Sequence, residues 1–382
     1  MTYIAAWRLG QHAYLVSDTA ITVEDLSGQS SSKEHAVSVT SFGELDVSEP
    51  ERVVYEGVLK TIHLGSAVAL MCGDVRLARS VIRSIGRRLQ AGLDGTRAFQ
   101  QAIVDNGPFD DPQRQVHLIV AFPEHPHARL MAFNIDGDLQ IHEVPDETAV
   151  QFGSMPSKYK SIFPQMINTL KIFAGEPDRF LTGVLGIVQG YGLHDYLMEN
   201  SVGGTFCGAV VGSSDIRWQK DILYVLHRSQ ATPTTEKAPH MHDMISSVVR
   251  DHVLVVRSNI TDSCRYFGDS INRGLDENWR AKWWNLCFDF MSHGRFDFVV
   301  ALNTDNRVVS VVETLGHLRT KHLRISPEGP QSKEEAFRLD VAFSPQLFEV
   351  MMQPDPPPRV EAIFLRFNWF PYEPPEESGN LP

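Results

Sequence analysis

Three residues near the start of the chain could do chemistry together: Thr2, Asp18 and Lys60. A threonine hydroxyl is a poor nucleophile at neutral pH and needs a base. A free α-amino group titrates at about 7.7–8.0, so on the same residue it can take the hydroxyl proton. A lysine beside that amine keeps it neutral by like-charge repulsion and lowers the hydroxyl pKa. An aspartate then pairs with the lysine and orients it. Thr2, Lys60 and Asp18 fit those three roles once Met1 is removed. A small second residue permits that removal by the ordinary aminopeptidase.

The elements that must position them can be read from hydrophobic period. YIAAWR (3–8) and HAYLVSD (12–18) are two apolar strands around the turn LGQ. Residues 23–52 are polar, Ser-rich and acidic, and read as a long loop or insertion. Strand patterns return at 53–64 and 66–72. Ala78, Val81, Ile82, Ile85 and Leu89 then form a helical stripe, with Asp74 as its cap. A second helix spans 96–105, followed by strands at 116–122, 129–135 and 139–145. Two helical patterns fill 157–173 and 178–198, broken at Gly175 and Pro177, before strands at 205–212 and 222–228. Two sheets with helix pairs on their outer faces satisfy every apolar face in that order. Beyond it, 229–243 reads as a linker, 244–370 as a smaller, mainly β accessory domain, and 371–382 as a disordered tail. A tryptophan-rich helix carrying Trp279, Trp283 and Trp284 falls inside that second domain.

Bulk properties narrow the function. The 382 residues carry a net charge of −12, which argues against nucleic acid or an anionic membrane as partner. No apolar run is long enough to span a bilayer and no signal peptide is evident, so the expected location is cytoplasmic. Four scattered cysteines show no metal or disulfide spacing. His125, His127, His240 and His242 lack a carboxylate–histidine set around them, so neither metal nor cofactor is expected. The glycines of GIVQGYG (186–192) follow no strand and are not a nucleotide loop.

The ordered set of motifs over residues 2–228 resembles the proteasome β-subunits and the HslV peptidase, which are N-terminal nucleophile hydrolases. Thr2 is followed by a strand, Gly10, a second strand and Asp18-Thr19-Ala20-Ile21-Thr22, sixteen residues from threonine to aspartate. Lys60-Thr-Ile-His-Leu64 precedes a hairpin ending at Gly73. Phe152-Gly153-Ser154 resembles the family's Gly-Ser-Gly segment, and Glu199-Asn-Ser-Val-Gly-Gly204 its D-x-x-S-G-G, with glutamate for aspartate and Val202 where the family has serine.

The resemblance implies an α+β fold of four αββα layers over 1–228, with 23–52 inserted. It implies a threonine-type peptide or amide hydrolase with Thr2, Asp18 and Lys60 as catalytic residues. Gly73 would supply the oxyanion N–H, and Ser154 and Glu199 would hold the amine and a water. Ile21 and Met71 would line an apolar specificity pocket. A homo-oligomer, an ATPase or other protein partner and a peptide substrate follow from the same likeness. Taken singly, each residue has an ordinary structural role, as a strand end, a solvated cation or a helix cap. The alternative reading is a non-catalytic proteasome-like assembly or partner-binding protein. A small-molecule amidase of the same nucleophile class is a third.

Overall fold

The computed structural model describes residues 3–24, 39–44, 52–111, 114–194, 197–227, 243–258, 260–261, 263–268, 296–303, 309–315 and 319–325, with three two-residue strands beyond. Thr2, the linker, the tryptophan-rich segment and the C-terminal tail lie outside the described residues. The fold is α+β, as expected.

The first sheet is antiparallel, in the order β10 (Ala149–Gly153), β1 (Tyr3–Leu9), β2 (His12–Ser17), β11 (Cys207–Val211), β12 (Ile216–Trp218). The second runs β5 (Thr61–His63), β6 (Val68–Gly73), β7 (Val116–Phe122), β8 (Arg129–Ile135), β9 (Asp138–Glu143). Strand alternation sends Ile4, Ala6, Ala13 and Leu15 into one core with Val68, Leu70, Ile119 and Leu130 of the second sheet. Tyr3, Ala5, Trp7 and Tyr14 face the other way, into a core with the helices α3 (Ser157–Leu170) and α4 (Pro177–His194). Both faces of β1 are covered, which is why it reads as a continuous apolar run. Trp7 stacks on Tyr14 with ring centroids 5.2 Å apart.

The helices α1 (Val75–Gln90) and α2 (Gly95–Asn106) bury Ala78, Val81, Ile82, Ile85 and Phe99 against the second sheet. Asp74 and Asp94 cap them, accepting from the backbone N–H groups of Leu77 and Arg97. Arg87 and Arg88 complement the carbonyl end of α1.

The expected strand over 53–64 is two separate elements. β4 (Arg52–Glu56) pairs with β3 (Ala20–Glu24) in a small ribbon, and only 61–63 join the second sheet. The chain turns at Gly57 and Val58, whose N–H groups both donate to the Thr19 carbonyl. A Cβ on Gly57 would lie 2.5 Å from Ile21.

A larger difference concerns β13 (Ile222–His227), expected to close the first part of the chain. It is an inner strand of a ten-stranded sheet, antiparallel to β14 (Asp243–Arg250) and parallel to β17 (Phe298–Asn303). β15 (Val253–Ser258) and β16 (Ser263–Gly268) extend one side, β18 (Val309–Leu315) and β19 (Arg319–Ile325) the other. The two-residue strands β21 (Glu361–Ala362) and β22 (Phe364–Leu365) pair with β19, and β20 (Leu339–Asp340) pairs with β22. Two glycines of α4 explain how this sheet docks. A Cβ on Gly186 would come within 3.0 Å of Val300 and 3.1 Å of Val309, and one on Gly190 within 3.2 Å of Val309. Those glycines serve close helix–sheet approach.

A second seam joins the β5–β6 hairpin to the β14–β15 turn. His63 stacks on His252 with centroids 4.3 Å apart. His63 Nδ1 accepts from the Gly65 N–H at 3.1 Å, and His252 Nδ1 accepts from the Trp218 indole at 3.0 Å. An imidazolium can do neither. Burial, with the His252 ring adding to it, pushes His63 down from 6.5 to about 4. The unfolded chain therefore binds more protons between those values, and stability is lost as pH falls through that window. Melting temperature is expected to drop between pH 6.5 and 4, and His63→Phe, which keeps a stacked ring, to flatten the drop.

Candidate functional site

Asp18 and Lys60 meet at the start of β1. Asp18 leaves β2 with 0% exposure and Lys60 precedes β5 with 3%. The tight connection between β2 and β3 turns the Asp18 carboxylate back toward the first strand, where Oδ1 accepts the Tyr3 N–H at 3.0 Å. Asp18 N–H returns a bond to the Tyr3 carbonyl at 3.2 Å. Lys60 Nζ donates to the same Oδ1 and to the Ala20 carbonyl. Asp18 Oδ2 accepts the Gly203 N–H at 3.1 Å. Four chain segments thus converge on one carboxylate–ammonium pair, next to Tyr3.

The pair sits out of water, where an isolated charge would be very costly. Burial lowers the Lys60 pKa, and the Asp18 charge opposes that shift. The result is an ammonium that gives up its proton more readily than a solvated lysine. Two of its three protons go to Asp18 and Ala20, and among the described residues no acceptor takes the third.

Gly73 ends β6 on the same side. The Met71 N–H donates to the Lys60 carbonyl at 3.3 Å, which ties the glycine strand to the lysine. Gly73 has φ +94°, and a Cβ there would lie 2.1 Å from the Gln115 carbonyl oxygen. No other residue type fits this backbone. Ser154 is half-buried and follows Gly153, whose register partner is Tyr3. It therefore stands one step past the last β1–β10 pair. Glu199 lies on a single 3-10 turn, Leu197–Asn200. Gly203 anchors the segment just after that turn to Asp18.

The two specificity positions are placed differently from each other. Met71 is 2% exposed and belongs to the core beneath α1 and α2. Ile21 is half-buried on β3, against Gly57.

The site also contains residues the sequence reading did not single out. Lys160 on α3 donates to the Gly153 carbonyl at 2.9 Å, holding the end of β10. Glu56 is a buried hub. Its Oε1 accepts from the Thr205 N–H (2.7 Å), Thr205 Oγ1 (3.0 Å) and Thr19 Oγ1 (3.3 Å). Its Oε2 accepts from the Ser41 N–H and Oγ, both at 2.7 Å, and from Arg265 of β16 at 2.8 Å. Residues 40–44, expected as part of a polar loop, are instead largely buried, with Thr40 and Ser41 at 0% exposure. Their only sequence signal was Phe42, a large apolar side chain within a serine-rich stretch.

The buried thiols Cys72 and Cys207 do not compete as nucleophiles. Burial pushes Cys72 up to about 11, against the pull of the Lys60 charge, and raises Cys207 still further. Among the described residues no three His, Cys, Asp or Glu side chains gather as a metal site, and no helix is long and apolar enough to cross a membrane.

Comparison with known proteins returns distant structural likenesses only. No protein-family model matches the chain, and no curated protein matches it significantly. Among solved structures, it is similar to Anbu from Hyphomicrobium sp. strain MC1, as a Gly-1 mutant. The identity is 15% and the TM-score 0.37, covering 57% of this chain and 86% of that one. It is also similar to the eukaryotic HslV from Trypanosoma brucei, at 12% identity and TM-score 0.34, covering 55% of this chain and 99% of that one.

Proposed function

We propose that this chain is an N-terminal-threonine hydrolase acting on a peptide or amide, built on an αββα sandwich with an accessory β unit. The observation that carries the reading is the buried Asp18–Lys60 pair bound to the Tyr3 N–H. Met1 removal frees the Thr2 amine. That amine takes the Thr2 hydroxyl proton as Oγ attacks the substrate carbonyl. Lys60, held by Asp18 and Ala20, keeps the amine neutral and turns its remaining proton toward Oγ. The Gly73 N–H receives the oxyanion. The amine then protonates the leaving nitrogen, and water resolves the acyl-enzyme with the same amine as base. Ser154 hydrogen-bonds the amine, and Glu199 orients the water. Ile21 and Met71 would favour an apolar residue before the cleaved bond. A homo-oligomer in the cytoplasm, with a protein partner supplying substrate, accords with this reading.

The test is the intact mass of the full chain before and after an N-terminal-threonine-directed epoxyketone. A mass lacking one methionine and a single adduct, absent from Thr2→Ala, is the expected outcome. A chain that retains Met1 and takes no adduct overturns the reading.

A further inference from the structure

The turn formed by residues 40–44 is wedged between the candidate site and the ten-stranded sheet. Phe42 packs edge-on against Tyr224 of β13, with centroids 5.2 Å apart. A Cβ on Gly43 would touch Ile260 at 3.1 Å, and the Val39 carbonyl accepts from Arg265. On its other side the turn presents Glu44. Two backbone N–H groups, of Phe42 and Glu44, donate to Thr40 Oγ1, so the Thr40 hydroxyl proton goes to Glu44 Oε2 at 2.8 Å. The Gly204 N–H donates to the same oxygen at 2.9 Å. The preceding N–H, of Gly203, is the one that holds Asp18.

We propose that Glu44 is a positioning residue for the Asp18–Lys60 pair, acting through the Gly203–Gly204 loop and linking that pair to the second sheet. The inference rests on the reading of Asp18 and Lys60 given above.

The arrangement is that of a neutral acid. Oε2 takes two donors, whereas Oε1 is buried with no partner among the described residues. Oε1 faces the backbone of Gly192 and Gly203, where added Cβ atoms would lie 3.3 and 3.1 Å away. The charged groups facing Glu44 are Glu56 and Asp18, each compensated on its far side by Arg265 and Lys60. Burial pushes the Glu44 carboxyl up to about 8, and those two carboxylates add to the shift. Ionisation above that value puts a further negative charge beside Asp18. It strengthens the hold of Lys60 on its protons and works against the packed turn.

The experiment follows the Lys60 Nζ signal in the 15N-lysine-labelled full chain from about pH 6 to about pH 10, in wild type and Glu44→Gln. The signal is assigned by its loss in Lys60→Arg. Wild type should show an inflection near pH 8 that Glu44→Gln lacks. In parallel, the rate of epoxyketone adduct formation should fall about fivefold between pH 8 and 9 in wild type and stay nearly level in Glu44→Gln. Superimposable Lys60 titrations overturn the proposal whether or not the protein reacts. An inflection confined to wild type, in a chain that takes no adduct, supports Glu44 and overturns the hydrolase reading alone.

Discussion

Lys60→Met is expected to lower folding stability by about 3–5 kcal/mol and kcat by about 10³-fold or more. The stability loss comes from Asp18, not from missing lysine packing. Asp18 has 0% exposure, so Lys60→Met takes the ammonium away from a carboxylate that stays out of water. Urea unfolding measures the first effect. The double variant Asp18→Asn/Lys60→Met removes both charges, and it should recover much of the lost stability while remaining inactive. A single and a double variant of equal stability would mean that the unpaired Asp18 charge is not the source of the loss. Lys60→Met with undiminished adduct formation would remove the lysine from the proposed chemistry.

Gly73→Ala is expected to cost about 3 kcal/mol or more and to depress kcat more than KM. The new methyl meets the Gln115 carbonyl oxygen at 2.1 Å, and the backbone there is at φ +94°. That carbonyl cannot swing aside, because it accepts the Asp74 N–H at 2.8 Å, and Gly73 is paired with Val116 across the ladder. The end of β6 must move, and with it the N–H assigned to the oxyanion. Cys72→Ala, one residue earlier, truncates a buried thiol without changing the backbone and serves as the comparison. Equal effects from the two variants would mean that the glycine has no special backbone role. A destabilised Gly73→Ala that retains kcat would remove its N–H from the proposed oxyanion site.

Much of the local architecture was legible. β1 and β2 are two apolar runs around a Gly-bearing turn, α1 shows its apolar stripe, and Asp74 caps the helix where the sequence placed it. The Asp18–Lys60 encounter was legible only through the order of several weak motifs, since 42 positions separate the two residues. Glu44 and Glu56 were not legible. A buried carboxylate looks like any surface carboxylate in sequence, and its donors come from Thr40, Ser41, Thr205 and Arg265, scattered along the chain.

The sequence by itself determined the element types, the helix caps, the two-faced burial of β1 and the chemical identity of Asp18 and Lys60. These follow from short-range rules: strand and helix periods, cap chemistry and the absence of a side chain on glycine. The tertiary structure alone decided that β13 leaves the first part of the chain to pair with β14 and β17. It also decided that Gly186 and Gly190 of α4 face that sheet, and that the turn 40–44 is buried between the sheet and the Asp18–Lys60 pair. The physical reason is common to all three. An apolar strand face, a glycine or a carboxylate specifies what kind of surroundings it needs, while the partner that supplies them is set by long-range packing.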